Sequence, residues 1–157
     1  MPGRAQPLDR QKTQLGHQAM SAVDRQMMSR ALQLAAKGRY TSAPNPSVGC
    51  VIARDDSIIG EGFTRPAGGN HGEIEALQQA SDTAGATAYV TLEPCSHQGR
   101  TGPCADALVA AGISRVVIAC EDPNPEVAGS GIQKLKDAGI EVELGLMEDQ
   151  ARESNRG

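Results

Sequence analysis

The sequence predicts an α/β protein whose sheet has parallel neighbours and helices on both faces. Three observations carry that expectation. Strand-like and helix-like segments alternate after residue 85, as they do where parallel strands are joined by helical crossovers. Ahead of them, two short apolar runs flank a polar turn and read as a hairpin. The length of 157 residues, with 39% hydrophobic and 22% charged side chains, suits one domain with a genuine core.

The first element is a helix in AVDRQMMSRALQLAAKG, where Met27, Met28, Ala31, Leu34 and Ala35 recur at helical spacing and Gly38 supplies a stop. SVGCVIARDDSIIGEGF is the hairpin, turning at Asp55, Asp56 and Ser57. A helix begins near His71 and continues through Ile74, Leu77 and Gln78. ATAYVTLE is a strand, PCADALVAAG a helix and SRVVIAC a second strand of the alternating series. GIQKLKDAG is a short helix, IEVELGL a strand, and MEDQARESN a final helical turn or two. No internal repeat or low-complexity block interrupts them. One domain is expected over residues 21–157, behind a disordered extension of residues 1–20 in which His17 is solvated and Met20 offers an alternative start.

Composition narrows the function. A formal charge of −4 offers no basic footprint for nucleic acid or an anionic membrane. Aromatic residues make up only 2% of the chain, too few for a base-stacking platform. The longest apolar runs fall well short of a membrane span, and the polar N-terminus lacks the apolar centre of a secretory signal. A cytoplasmic protein is expected. Its four cysteines then read as reduced thiols or metal ligands rather than a disulfide framework. Cys50 and Cys120 lie in apolar runs and are expected to be buried and unreactive.

The remaining two cysteines belong to TLEPCSHQGRTGPC at 91–104, and a histidine and glutamate stand close before them in HGE at 71–73. Zinc favours sulfur and imidazole donors, and a catalytic site typically offers three of them and leaves a fourth position to water. His71, Cys95 and Cys104 make such a set. His97 is a further imidazole that could close it. Cys95 follows a strand end, while His71 and Cys104 stand at helix starts, where orphan N–H groups favour thiolate. Glu73, two residues from His71, does not share its helical face. It is read as the general acid/base that reaches a metal-held water. Glu75 and Glu93 read more blandly, as supporting or solvated carboxylates. Each signal is weak alone, because a histidine before a helix is more often a cap or a packed residue. Together they match the H-x-E, P-C and second-cysteine signature of zinc deaminases.

At this level of detail, HGE, TLEPCSHQGRTGPC and EDPNPEVAGSGIQKLKDAGIEVELG resemble the deaminase domain of the bifunctional riboflavin-biosynthesis deaminase/reductase, and PNPSVGCVI fits its early Asn-containing loop. The likeness runs from about residue 22 to the C-terminus. SHQGRTGP puts eight residues between the two cysteines, where most zinc nucleoside and tRNA deaminases have two. The resemblance implies a cytidine-deaminase-like three-layer α/β/α fold with a mixed five-stranded sheet. It also implies zinc-dependent hydrolysis of the C2 amino group of 2,5-diamino-6-ribosylamino-4(3H)-pyrimidinone 5′-phosphate. The partner is then a small pyrimidine ribonucleotide, with no nucleic acid and no membrane, and a homo-oligomer is allowed.

Arg100, Thr101 and the amides freed by Gly99 and Gly102 offer an anion cradle for the phosphate. By resemblance, Asn45, His97, Asp122 and Asn124 occupy loop positions that contact base or sugar. Asn45, Asp122 and Asn124 each precede proline, so turn chemistry accounts for them equally well. Three departures stand out. Gly72 replaces the usual alanine, at a helix-propensity cost of about 0.8–1 kcal/mol if the position is interior. Gly102 replaces a proline, and the chain ends at ARESNRG, short of a reductase domain. Two other readings remain open at this stage. One is a zinc deaminase for a free nucleoside, a base or tRNA, and the other a catalytically silent zinc-stabilised interaction module.

Overall fold

Two strands form the expected hairpin, β1 (Gly49–Arg54) and β2 (Ser57–Phe63), and three more follow as β3 (Thr87–Val90), β4 (Arg115–Ile118) and β5 (Glu141–Leu144). The computed structural model describes residues 21–37, 47–64, 71–94, 104–122 and 128–154. The expected stop at Gly38 and the N-terminal extension lie outside the described residues. The strands make one mixed sheet in the order β2-β1-β3-β4-β5. β1 pairs antiparallel with both β2 and β3, whereas β3, β4 and β5 run parallel. The hairpin turns on Asp55, whose φ of 57° is left-handed, a conformation a short polar side chain tolerates.

Among the described residues, five helices cover the sheet, namely α1 (Ala22–Lys37), α2 (Gly72–Gln79), α3 (Cys104–Ala110), α4 (Ser130–Asp137) and α5 (Glu148–Ser154). Alternation within the central strands explains why both faces are covered. Cys50, Ile52, Ala88, Val90, Val116 and Ile118 point to one face, where Ala76, Ala105, Leu108, Ile132 and Leu135 of α2, α3 and α4 meet them. Val51, Ala53, Tyr89 and Val117 point to the other, against Met27, Met28, Ala31 and Leu34 of α1 and Ala151 of α5. These strands are apolar on both sides, so one layer of helices would leave half of each exposed. The three-layer expectation holds, and Cys50 and Cys120 are buried as anticipated.

Helix α1 starts on a reciprocal cap. The Asp24 N–H donates to Ser21 Oγ at 3.0 Å, and the Ser21 N–H donates to Asp24 Oδ2 at 3.2 Å. The same carboxylate reaches across the layer. Tyr89 Oη donates to Asp24 Oδ1 at 2.6 Å, and Arg115 grips both oxygens at 3.0 Å. Burial by itself would raise the Asp24 pKa. The hydrogen bonds from Arg115 and Tyr89 outweigh it and hold the carboxyl at about 2. On the hairpin side, Arg30 ties α1 to Glu61 of β2 through bonds of 2.7 and 3.1 Å.

A depressed folded-state pKa contributes stability that is present above the unfolded value and lost as pH falls through the folded one. From the ordinary 3.8 to about 2, Asp24 contributes about 2 kcal/mol at neutral pH. Asp24→Asn is therefore expected to be less stable by about that amount at pH 7, with the gap to wild type closing between about pH 4 and about pH 2. Urea denaturation of both proteins across that range measures it. A gap that stays constant through the acid range would show that Asp24 ionisation is not what holds α1 to the sheet.

Candidate metal centre and active site

The candidate residues that the structure describes gather at one end of the sheet, the end where parallel β3 and β4 finish and antiparallel β1 begins. Backbone pairing continues past the strands there. The Thr91 N–H donates to Gly49 O at 3.1 Å, the Ala119 N–H to Val90 O at 3.0 Å and the Glu93 N–H to Cys120 O at 2.9 Å. Thr91 Oγ1 in turn accepts the Gly49 N–H at 3.0 Å. In open α/β sheets, the carboxyl ends of parallel strands are where ligands bind.

Helix α2 brings two functional side chains to that end. His71 is its N-cap, with extended backbone (φ −73°, ψ 161°) and no side-chain capping bond, so the imidazole is not used up as a cap. The helix lies very close to the hairpin because glycines meet it. A Cβ on Gly62 would stand 2.5 Å from both Glu75 Cβ and Gly72 O, and 2.6 Å from the Ala76 nitrogen. A Cβ on Gly72 would stand 2.6 Å from Val48 O. Gly72 is thus the first helical residue rather than an interior one, and its missing Cβ serves a close approach. The propensity penalty considered for an interior glycine does not apply.

Helix α3 supplies the third group from its first residue. His71 Nδ1 and Cys104 Sγ are 3.1 Å apart. One donor atom from each of His71, Glu73 and Cys104 lies within 4.8 Å of the others. Cys104 is fully buried and Glu73 is 3% exposed, so a carboxylate is held out of bulk water beside a thiol and an imidazole. Sulfur, imidazole and carboxylate are zinc donors, and their convergence on one point fits that ion. Burial, and then the nearby Glu73 charge, push the Cys50 thiol well above its usual range, which leaves it a packing residue below the site. Burial likewise raises the Cys120 thiol. Glu75 begins over Gly62 of the hairpin and is not part of the cluster.

Cys95 follows directly on Pro94 but lies outside the described residues, as do Asn45, His97, Arg100, Thr101 and Asn124. Asp122 is described. It is half-buried at the exit from β4, and its N–H donates to Glu93 Oε1 at 3.1 Å.

Glu93 itself departs from the bland reading of a strand-end carboxylate. It is 6% exposed and accepts four backbone N–H groups. Oε1 takes those of Asp122 and Gly129 at 3.1 and 3.0 Å, and Oε2 those of Gly131 and Ile132 at 2.8 and 3.1 Å. Helix α4 has the left-handed Gly129 at its N-cap and no side-chain cap of its own. Glu93 satisfies the second and third helical amides instead, the two that a local capping residue would take. The sequence signal was faint, a glutamate before Pro-Cys and a helix start with no local side-chain cap in the structure.

Comparisons with known proteins converge on one group. Residues 21–120 match the model of the cytidine and deoxycytidylate deaminase zinc-binding region. The riboflavin biosynthesis protein RibD of Escherichia coli is 57% identical over 135 residues, which cover 85% of this chain and 37% of that protein. A diaminohydroxyphosphoribosylamino-pyrimidine deaminase of Buchnera aphidicola (subsp. Schizaphis graminum) is 48% identical over 85% of this chain and 92% of its own length. Acinetobacter baumannii RibD superposes with a TM-score of 0.84 at 58% identity, covering 86% of this chain and 38% of that one.

The glycine contact under α2 gives a direct test. Gly62→Ala forces the added methyl against helix backbone and the Glu75 Cβ, neither of which can swing away as the far end of a flexible side chain could. It is expected to cost about 1–3 kcal/mol of stability, the range for overpacking a well-filled interface. Urea denaturation reads this out. A loss below about 0.5 kcal/mol, the scatter of ordinary surface substitutions, would mean that α2 moves aside freely and that the hairpin does not set the position of His71 and Glu73.

Proposed function

This chain belongs to the cytidine and deoxycytidylate deaminase zinc-binding family, and on that footing we propose that it deaminates 2,5-diamino-6-ribosylamino-4(3H)-pyrimidinone 5′-phosphate. Water replaces the C2 amino group, giving ammonia and 5-amino-6-ribosylaminouracil 5′-phosphate. The substrate assignment is supported by the Buchnera deaminase, which this chain matches over nearly its whole length. The observation that carries the reaction type is the cluster of half-buried His71 with buried Glu73 and Cys104.

In this reading His71, Cys95 and Cys104 hold one zinc ion. Bound there, zinc would supply Lewis acidity that makes water nucleophilic at neutral pH. Glu73 accepts the proton of the water that attacks C2 and delivers it to the adjacent ring nitrogen. It then relays a proton to the amino group, whose bond to C2 breaks as the carbonyl forms. Its position suits the relay, since it is buried, beside the zinc donors, and at a spacing from His71 that leaves the carboxylate free of that helical face. Positioned acid–base groups of this kind contribute about 10²–10⁴-fold in rate.

The substrate's other end is assigned to the loops. Arg100, Thr101 and the neighbouring amides take the phosphate, and Asn45, His97, Asp122 and Asn124 contact base or sugar. The partner is a small pyrimidine ribonucleotide. Among the described residues, no helix is long and apolar enough to cross a membrane.

Two experiments decide between metal holding and chemistry. Purified protein is expected to contain about one zinc per chain, and Cys104→Ser to lose most of it together with ammonia release. Glu73→Gln is expected to keep zinc and nucleotide binding while losing at least about 10²-fold in kcat. Full zinc retention by the serine variant, or undiminished turnover by the glutamine variant, would sink the assigned roles.

The phosphate contact is tested by a double comparison. Arg100→Ala removes a charge-assisted bond of about 1.5–3 kcal/mol, so KM for the nucleotide should rise about ten- to a hundredfold. The phosphate-free riboside should be a poor substrate already and should change little. Equal use of nucleotide and riboside by the wild type would instead favour an ordinary nucleoside deaminase.

A further inference from the structure

Glu93 is a buried carboxylate at this end of the sheet that the chemistry above does not use. It stands one residue before Pro94 and two before Cys95. Its partners among the described residues are backbone amides, drawn from two segments far away in sequence. Oε1 takes the N–H groups of Asp122 and Gly129, which flank the segment between β4 and α4. Oε2 takes those of Gly131 and Ile132, in the first turn of α4. The packing is close at the same point. A Cβ on Gly131 would collide with the carbonyl oxygen of Pro94, so α4 begins in direct contact with the chain that leads into Cys95.

We infer that Glu93 is a positioning residue that locks the substrate-binding edge at Asp122 and α4 to the strand exit that carries Cys95. It acts through the two amide pairs and not by touching the substrate. The inference rests on the deaminase reading, in which Asp122 faces the base or sugar and Cys95 the metal. One carboxylate has two oxygens, so the device has two separable halves. Glutamine keeps one oxygen and turns an NH2 towards the other pair of donors. Alanine removes both acceptors. A residue that merely filled space would show no such grading.

The test compares wild type, Glu93→Gln and Glu93→Ala by three readouts, which are zinc content, steady-state kinetics on the diaminopyrimidine nucleotide, and amide hydrogen exchange. In the wild type, all four amides are expected to be protected. Exchange should accelerate at one oxygen's pair in Glu93→Gln and at all four amides in Glu93→Ala. KM should rise by about tenfold in Glu93→Gln, equivalent to about 1.4 kcal/mol of lost substrate binding. It should rise further in Glu93→Ala, with zinc content intact and kcat changed far less than KM. Unchanged exchange in either variant, or a fall in kcat or zinc with KM unmoved, overturns the inference. The wild-type exchange pattern decides the matter even if a variant does not fold, because unprotected amides at 122, 129, 131 and 132 would show that no lock exists. A wild type that does not deaminate the nucleotide would bring down the functional reading, and the positioning role with it. Altered exchange without a KM effect in an active enzyme would bring down the positioning role alone.

Discussion

The burial of β1, β3 and β4 on both faces is the constraint on which the rest of the molecule depends. Val51, Ile52, Val90, Val116, Val117 and Ile118 are all without solvent exposure. At about 1.5–3 kcal/mol for each aliphatic side chain taken out of water, neither layer of helices is dispensable. The same burial decides where chemistry is placed. Polar chain cannot run through the middle of such a sheet, because every backbone N–H and C=O there is committed to a ladder. It emerges at the strand ends, and the end at which β3 and β4 finish also receives the starts of α2 and α3. His71, Glu73 and Cys104 meet because the starts of two helices reach the same edge, although they are separated by up to 33 residues in sequence.

Three of the buried carboxylates among the described residues meet the cost of burial in three different ways. A buried ionised group is tolerated only when paired or fully hydrogen-bonded. Asp24 is paired with a guanidinium and a phenol, which gives a strap between α1 and the sheet. Glu93's partners among the described residues are backbone amides, with hydrogen bonds to a charged group contributing about 1.5–3 kcal/mol each, and so it organises loops. Glu73 sits beside the thiol and imidazole of the candidate metal centre, where a bound cation would offset its charge without taking it as a ligand. The first two stabilise structure. The third is the charge that the proposed mechanism uses.

Close approach matters as much as charge. The hairpin presents Gly60 and Gly62 to α2, and α2 presents Gly72 to Val48, just ahead of β1. Side chains at these points would hold the helix off the sheet and carry His71 and Glu73 away from Cys104. Gly131 plays the same part where α4 meets Pro94. Conformational freedom is not the issue at these four positions, none of which has the left-handed φ that favours glycine. Space is.

Much of this was legible in the sequence, because it depends on local pattern. Periodicity marked the hairpin, the alternating strands and helices and the buried Cys50 and Cys120. The H-x-E and Pro-Cys spacing singled out His71, Glu73 and Cys104, since zinc chemistry demands particular donor types at element ends. Tertiary structure alone decided what depends on approach between distant segments. The partnership of Asp24 with Tyr89 and Arg115 joins residues 65 and 91 positions apart, which no window of sequence contains. Gly72 looked like a weakness of its helix until the carbonyl of Val48 was found in the space a Cβ would fill. Glu93 looked like an unremarkable strand-end acid, because a carboxylate whose donors are backbone N–H groups leaves no complementary side chain in the sequence to reveal it. Side-chain chemistry is written residue by residue, whereas the positions of backbone amides in space exist only once the chain has folded.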